Sequence, residues 1–382
     1  ALYKTHFPLV ARWPVEDLWP MVGVIELAWS FAPQKCLDFI DQHLLPCPEM
    51  DDLTRQCLHD LPEWDLESVQ RIQTLALRAS EERLWWAEDY VYLISDHNPD
   101  LAPLLASTLF SRRLDELNQN DQDADTERRT RNPLESTNEW HDLPAVAEAA
   151  PVVFLRELWS WFVKVATQWY GCAPSSLLNH YGHISHIYYP RSGPHMHRPV
   201  LKAFETAVQD CARLKPHRFV EITHAAWTID NGPIQIMLAR GLTEAARTIP
   251  AVGLKFLSSD ARRLSLGCHS LGDDSYSFEL IRAIGPWLDS QQLLEMETLI
   301  RHWSQYRPGI ELCEDQLEWD RESRLRLLTA IPEDIRSSEL SAFIASELSE
   351  LPNALRKPTR MPWGFVSNIS PISKDEMNTA DD

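Results

Sequence analysis

A proline followed by bulky or apolar residues three, four and seven positions later returns along this chain. It occurs as Pro33–Cys36–Leu37–Ile40, as Pro151–Phe154–Leu155–Leu158 and as Pro216–Phe219–Val220–Thr223. A weaker copy is Pro250–Leu254–Leu257, where Gly253 stands in place of a large residue. Proline fits the first turn of a helix, where its missing N–H removes no bond. The following offsets place the apolar residues on one helical face. Each copy therefore reads as the start of an amphipathic helix with one stripe to bury. A helix start used repeatedly is how a stacked array is built.

The spacing between copies is irregular, so the pattern resembles a degenerate HEAT-type or tetratricopeptide-type solenoid rather than a strict repeat. Composition agrees. Only 12 glycines occur in 382 residues, which argues against Rossmann, P-loop and β-rich folds that need glycine in tight turns. The 26 prolines fall mainly at helix boundaries, and 15 tryptophans suit joints between packed helices. Hydrophobic residues make up 44%, ample for a core. The expected fold is all-α, an irregular α-solenoid of antiparallel helix pairs. By analogy with known solenoids it is expected to be right-handed.

Periodicity predicts two helices between Pro14 and Leu45, then a long helix or close pair from Leu66 to Ile94. Further helices are expected through LLASTLFSRRLDEL and PVVFLRELWSWFVKVATQWY, then over Arg198–Leu214, Pro216–Trp227, Pro233–Thr248 and Pro250–Leu257. The last are Phe278–Leu288, Ser290–Trp303 and Asp320–Ala330, with short turns and helices between Pro332 and Leu355. Residues Asn118–Asn138 are polar and expected to add little to a core. The organisation read from this is N-terminal helical repeats over 1–117, a flexible polar loop or hinge over 118–138, the main array over 139–356 and an extended segment over 357–382. The opening ALYKTH and closing MNTADD suggest a piece of a longer polypeptide.

The formal charge of −20 disfavours nucleic acid and anionic lipid and suits a partner with a basic face. Seven scattered cysteines without a CxxC pair read as reduced, structural and cytoplasmic. No apolar run is long enough to span a membrane.

Three longer phrases carry a family likeness: AEAAPVVFLRELWSWF, DARRLSLGCHSLGDDSYSFELIRAIGPWL with QLLEMETLI, and FVSNISPISKDEM. Together they resemble the C-terminal helical-repeat region of large bacterial STAND-class ATPases, NACHT-type or AAA-type proteins, many of them in antiphage defence. The resemblance implies a non-catalytic sensor that binds a protein ligand, here a phage component, and controls an ATPase and effector elsewhere in the parent chain. No GxxxxGK[ST] loop occurs, so ATP and Mg²⁺ are expected only in the parent and no cofactor in this segment. The alternative is an architectural or autoinhibitory scaffold packed on the ATPase.

Two stretches hold candidate site residues. His180, His183, His186, His195 and His197 lie within 18 residues and could ligate a metal. No carboxylate or cysteine completes a zinc signature there, and HExxH and HxE…CxxC are absent. The bland reading is a polar connecting loop; the sharp one is a metal-dependent hydrolase. In the segment Asp260–Leu280, Arg262, Arg263, Asp273, Asp274 and Tyr276 are candidate partner contacts on one edge of the array. Its structural reading is helix termination at Gly267 and capping by Asp274 or Ser275. Trp159, Trp161 and Phe162 read as core, and no GxSxG elbow supports nucleophilic catalysis.

Overall fold

A computed structural model describes residues 19–80, 85–119, 132–135, 140–170, 177–181, 198–267, 276–352 and 354–355. Among the described residues the fold is all-α, with no strand and a single isolated bridge between Leu178 and Tyr306. The helices are α1 (Pro20–Trp29), α2 (Pro33–Phe39), α3 (Asp51–His59), α4 (Leu66–Arg78), α5 (Trp85–His97), α6 (Ala102–Gln119), α7 (Leu143–Ala149) and α8 (Pro151–Trp169). They continue as α9 (Pro199–Leu214), α10 (Pro216–Thr223), α11 (Gly232–Glu244), α12 (Pro250–Ser258), α13 (Tyr276–Ile284), α14 (Ser290–Arg301), α15 (Glu314–Thr329) and α16 (Ser338–Glu350). Each helix packs mainly on those one or two places along the chain, the near-diagonal pattern of an array.

The recurring proline does what the spacing predicts. Pro33, Pro151, Pro216 and Pro250 each begin a helix. The residue before each proline takes nearly one conformation: Ala32 at φ −152°, ψ 56°, Ala150 at −138°, 60°, Lys215 at −141°, 66° and Ile249 at −133°, 52°. The ring clashes with an α conformation at the preceding residue, so the helix must break there. Yet the joint residue keeps both of its own backbone bonds. The Lys215 N–H donates to the Cys211 carbonyl at 2.8 Å, and the Lys215 carbonyl accepts from Phe219 N–H at 3.0 Å. The same two bonds form around Ala32, Ala150 and Ile249. One residue thus ends one turn and starts the next.

The apolar stripes face inward. Phe154, Leu155, Leu158, Phe219 and Leu257 are fully buried, and Thr223 is buried with its hydroxyl donating to the Phe219 carbonyl at 2.9 Å. Trp159, Trp161 and Phe162 are core, as expected; Trp161 stacks between Phe110 and Phe204. Burying a side chain of this size stabilises by roughly 1.5–3 kcal/mol. Gly253 in the weak copy has a packing reason, because an added Cβ would lie 2.9 Å from Ile284 Cγ2 on α13. Gly241 is tighter still, at 2.3 Å from the Phe219 ring. There α11 and α10 meet with no room for a side chain.

Of the two readings of Leu66–Ile94, the close pair holds, as α4 and α5. Two expectations change in detail. Helix α15 starts at Glu314, not Asp320, because Cys313 caps it and Gln316 Oε1 accepts the Cys313 N–H at 3.0 Å. Within the polar stretch 118–138 one described residue does reach the core: Leu134 is fully buried, and Asn132 Oδ1 accepts its N–H at 3.1 Å. Helices from either side of that stretch, α6 and α8, also meet, as Trp161 Nε1–H donates to the Phe110 carbonyl at 2.8 Å.

Candidate binding groove

Helix α15 carries Asp315, Glu318, Trp319 and Glu322 at positions i, i+3, i+4 and i+7, so one face presents three carboxylates around one indole. This face lines an open groove of about 510 Å³, closed on the far side by Leu177, Leu178 and Tyr306. Trp319 is 50% exposed, and Leu317 beside it is equally exposed. None of the three carboxylates forms an ion pair among the described residues.

Buried polar groups hold the opposite wall. Asp320, on the inner face of α15, accepts from Ser304 Oγ and Gln305 N at 2.8 Å and from Arg324 Nη2 at 2.6 Å. That fixes the turn Ser304–Tyr306. The turn grips residues 177–181: Asn179 N–H donates to the Gln305 carbonyl at 2.6 Å, and Arg307 N–H to the Leu177 carbonyl at 3.1 Å. From behind, Ser265 Oγ donates to the Asn179 carbonyl at 3.0 Å and Tyr181 Oη to Asp260 Oδ2 at 3.1 Å. The groove therefore rests on a braced frame.

That frame contains part of the predicted edge site. Arg262 lies over the Tyr181 ring at 4.3 Å and pairs with Asp260 and Asp230, each at 2.7 Å. Burial alone would raise the Asp260 carboxyl, but hydrogen bonds from Arg262 outweigh it and hold the group below the usual carboxylate range. Burial pushes the Tyr181 phenol up to about 12. Arg263 points the other way, into the core, and is 5% exposed. Its guanidinium braces Gln235 and the Phe256 carbonyl at 3.0 and 2.8 Å, so it is a packing element rather than an edge contact. Tyr276 belongs to another cluster, under Arg240 at 5.3 Å, where Arg240 also pairs with the buried Glu205. Asp273 and Asp274 lie outside the described residues, and Gly267 ends the 3₁₀ turn Ala261–Ser265 with φ 115°.

His180 sits half-buried in the gripped segment, next to the groove wall. His183, His186, His195 and His197 lie outside the described residues. Among the described residues no group of three or more histidine, cysteine or acidic side chains could hold a metal. The described cysteines Cys36, Cys47, Cys57, Cys211 and Cys313 are free thiols. No helix among the described residues is long and apolar enough to cross a membrane.

Sequence reasoning missed Trp319 and its three carboxylates. The signal was present as the i, i+3, i+4, i+7 spacing in DQLEWDRE, but it needed the earlier helix start to become a face. Compared with protein-family models, curated proteins and solved structures, the chain has no match.

Proposed function

We propose that this chain is a non-catalytic helical recognition module that binds a protein ligand. The observation that carries the reading is the α15 groove, where a half-exposed tryptophan and uncompensated carboxylates are held on a braced wall. Near-diagonal helix packing supports it, because such arrays offer elongated surfaces for distributed contact. The resemblance to STAND-class helical regions extends the proposal: a sensor in antiviral defence whose ligand is a phage component. Ligand binding would have to favour an active arrangement of the parent over a resting one by differential affinity.

One observation favours the architectural reading as a second role. Val24, Leu27 and Phe31 follow one another at helical spacing on and just beyond α1, and all are exposed, Phe31 by 87%. That stripe is suited to packing on the parent ATPase. The discriminating experiment is co-purification of the chain from phage-infected and uninfected bacteria, with mass spectrometry of what is retained. A phage protein held stoichiometrically only after infection supports the sensor reading. Retention of the ATPase piece alone replaces it with the scaffold.

A further inference from the structure

Inside this protein, arginine is repeatedly held by one ring and one carboxylate together. Arg240 lies over Tyr276 at 5.3 Å and pairs with Glu205. Arg262 lies over Tyr181 at 4.3 Å and pairs with Asp260 at 2.7 Å. Arg301 lies over Phe343 at 5.0 Å and pairs with Glu339 at 2.7 Å. The physics is shared: the ring face attracts the cation, and the planar guanidinium fork fits a carboxylate.

The α15 groove holds the other half of this arrangement. Trp319 lies one turn from Asp315 and from Glu322 on the same face, with Glu318 alongside. No cation of the chain lies over the Trp319 ring or pairs with Asp315, Glu318 or Glu322 among the described residues. The helix dipole accounts for Asp315 in the first turn but not for Glu318 and Glu322 further along. Like charges at these spacings repel, by roughly 0.2–0.5 kcal/mol per pair. Aspartate and glutamate kept unpaired around a half-exposed indole, in a concavity with an apolar far wall, are complementary to a cation.

We infer that this groove takes an arginine side chain presented by a protein partner. This rests on the recognition reading above and names the chemistry of its ligand. The guanidinium stacks on Trp319 and is shared among the three carboxylates, while the backbone beside it lies along Leu177, Leu178 and Tyr306. Arginine fits better than lysine because it can stack and fork at once.

The test uses the full chain labelled with 5-fluorotryptophan and followed by fluorine NMR, with the Trp319 resonance identified by its loss in Trp319→Phe. The probe is a glycine–serine peptide carrying two arginines, compared with the same peptide carrying lysine or citrulline, the latter an uncharged isostere. The expected result is a saturable shift of the Trp319 resonance, with citrulline binding about ten-fold more weakly and lysine in between. The triple variant Asp315→Asn, Glu318→Gln, Glu322→Gln is expected to bind the arginine peptide about ten-fold more weakly. Its thermal midpoint should stay close to the parent's, since the repulsion removed offsets the helix-dipole interaction that Asp315 loses. A control with the same charge change, Glu63→Gln, Asp96→Asn, Asp100→Asn, should bind like the parent. A silent Trp319 resonance, equal binding of citrulline or lysine, or equal loss in the control overturns the assignment. If the co-purified ligand is retained equally by the triple variant, the groove assignment falls and the recognition reading stands. If the peptide titrates Trp319 as expected while no foreign protein is ever retained, the recognition reading falls instead.

Discussion

Arg263 Nε–H donates to Gln235 Oε1 at 3.0 Å, across 28 residues of chain and with both side chains buried. Gln235 Nε2 in turn donates to the Ile229 carbonyl at 2.9 Å, and Arg263 Nη1 to the Phe256 carbonyl at 2.8 Å. The guanidinium also lies 4.1 Å from the Phe256 ring centre. Two side chains thus tie together the backbones of two turns, adding to the bonds that Ser259 Oγ gives the Phe256 carbonyl and Asn231 N–H gives the Ile229 carbonyl, each at 2.9 Å. Replacing Arg263 with alanine leaves Gln235 Oε1 and the Phe256 carbonyl buried with a bond missing, a loss of about 3 kcal/mol. Arg263→Lys should recover less than half of it, because one ammonium cannot reach acceptors on two sides. Urea unfolding of the three proteins decides; a loss near zero for Arg263→Ala would show that the network is replaceable by water.

Gly241→Ala tests the closest approach in the array. The new methyl would sit 2.3 Å from Phe219 Cζ, and that ring is fully buried with no free direction. Overpacking of this kind costs about 1–3 kcal/mol, against which helix propensity returns about 1. Gly253→Ala should be milder, since it meets a single methyl of Ile284 at 2.9 Å. In a Gly241→Ala background, Phe219→Leu should cost less than it does alone, giving a coupling that a double-mutant cycle measures. Additive effects would mean that α10 and α11 simply slide apart.

The joints were legible in the sequence because their cause is local. A proline ring bars one conformation at the residue before it, and four copies of the pattern gave four equivalent breaks. The core stripes followed from spacing alone. What the sequence hid depends on contacts made far along the chain. A pair of adjacent arginines reads as surface, and only the fold turns Arg263 inward while Arg262 stays at the edge. A lone leucine in a polar run gives no periodicity, so Leu134 was missed. The groove wall needs Asn179 to reach the Ser304 carbonyl, 125 residues away, at 3.3 Å. No local pattern announces that meeting.

The equivalence of the joints makes a prediction of its own. Pro151→Ala and Pro216→Ala each restore a backbone N–H and lift the bar against an α conformation at Ala150 or Lys215. Each should destabilise by about 0.5–1 kcal/mol through greater freedom of the unfolded chain. The joints belong to separate helix pairs with separate hydrogen bonds, so the double variant should lose the sum. Amide exchange should quicken at Phe154 in the first and Phe219 in the second, the residues whose N–H groups bond to the joint carbonyls. Faster exchange spread evenly over both helices would contradict independent joints.

Stability should fall at both ends of the pH scale, for opposite reasons. Burial by itself raises the carboxyls of Asp65 and Asp260, but hydrogen bonds from Ser68 and Arg262 outweigh it and leave both below the usual range. A carboxyl with a lowered folded value stabilises above its unfolded value, near pH 4, and that contribution is lost as pH falls through the folded value. Burial pushes the phenols of Tyr181 and Tyr276 up to about 12. A group with a raised folded value gives stability that is whole below its unfolded value, about 10, and is lost as pH rises toward 12. The urea midpoint should therefore be flat between about pH 5 and 9 and decline on either side. Tyr276→Phe keeps the ring under Arg240 and removes one of the ionising hydroxyls, so it should show a smaller decline between pH 10 and 11 than the parent. Asp260→Asn should flatten the acid limb and also soften the alkaline one, because the Asp260 charge beside the Tyr181 hydroxyl helps to hold that phenol up. If both limbs keep their shape in both variants, the pH dependence arises from the general charge of the chain and not from these buried pairs.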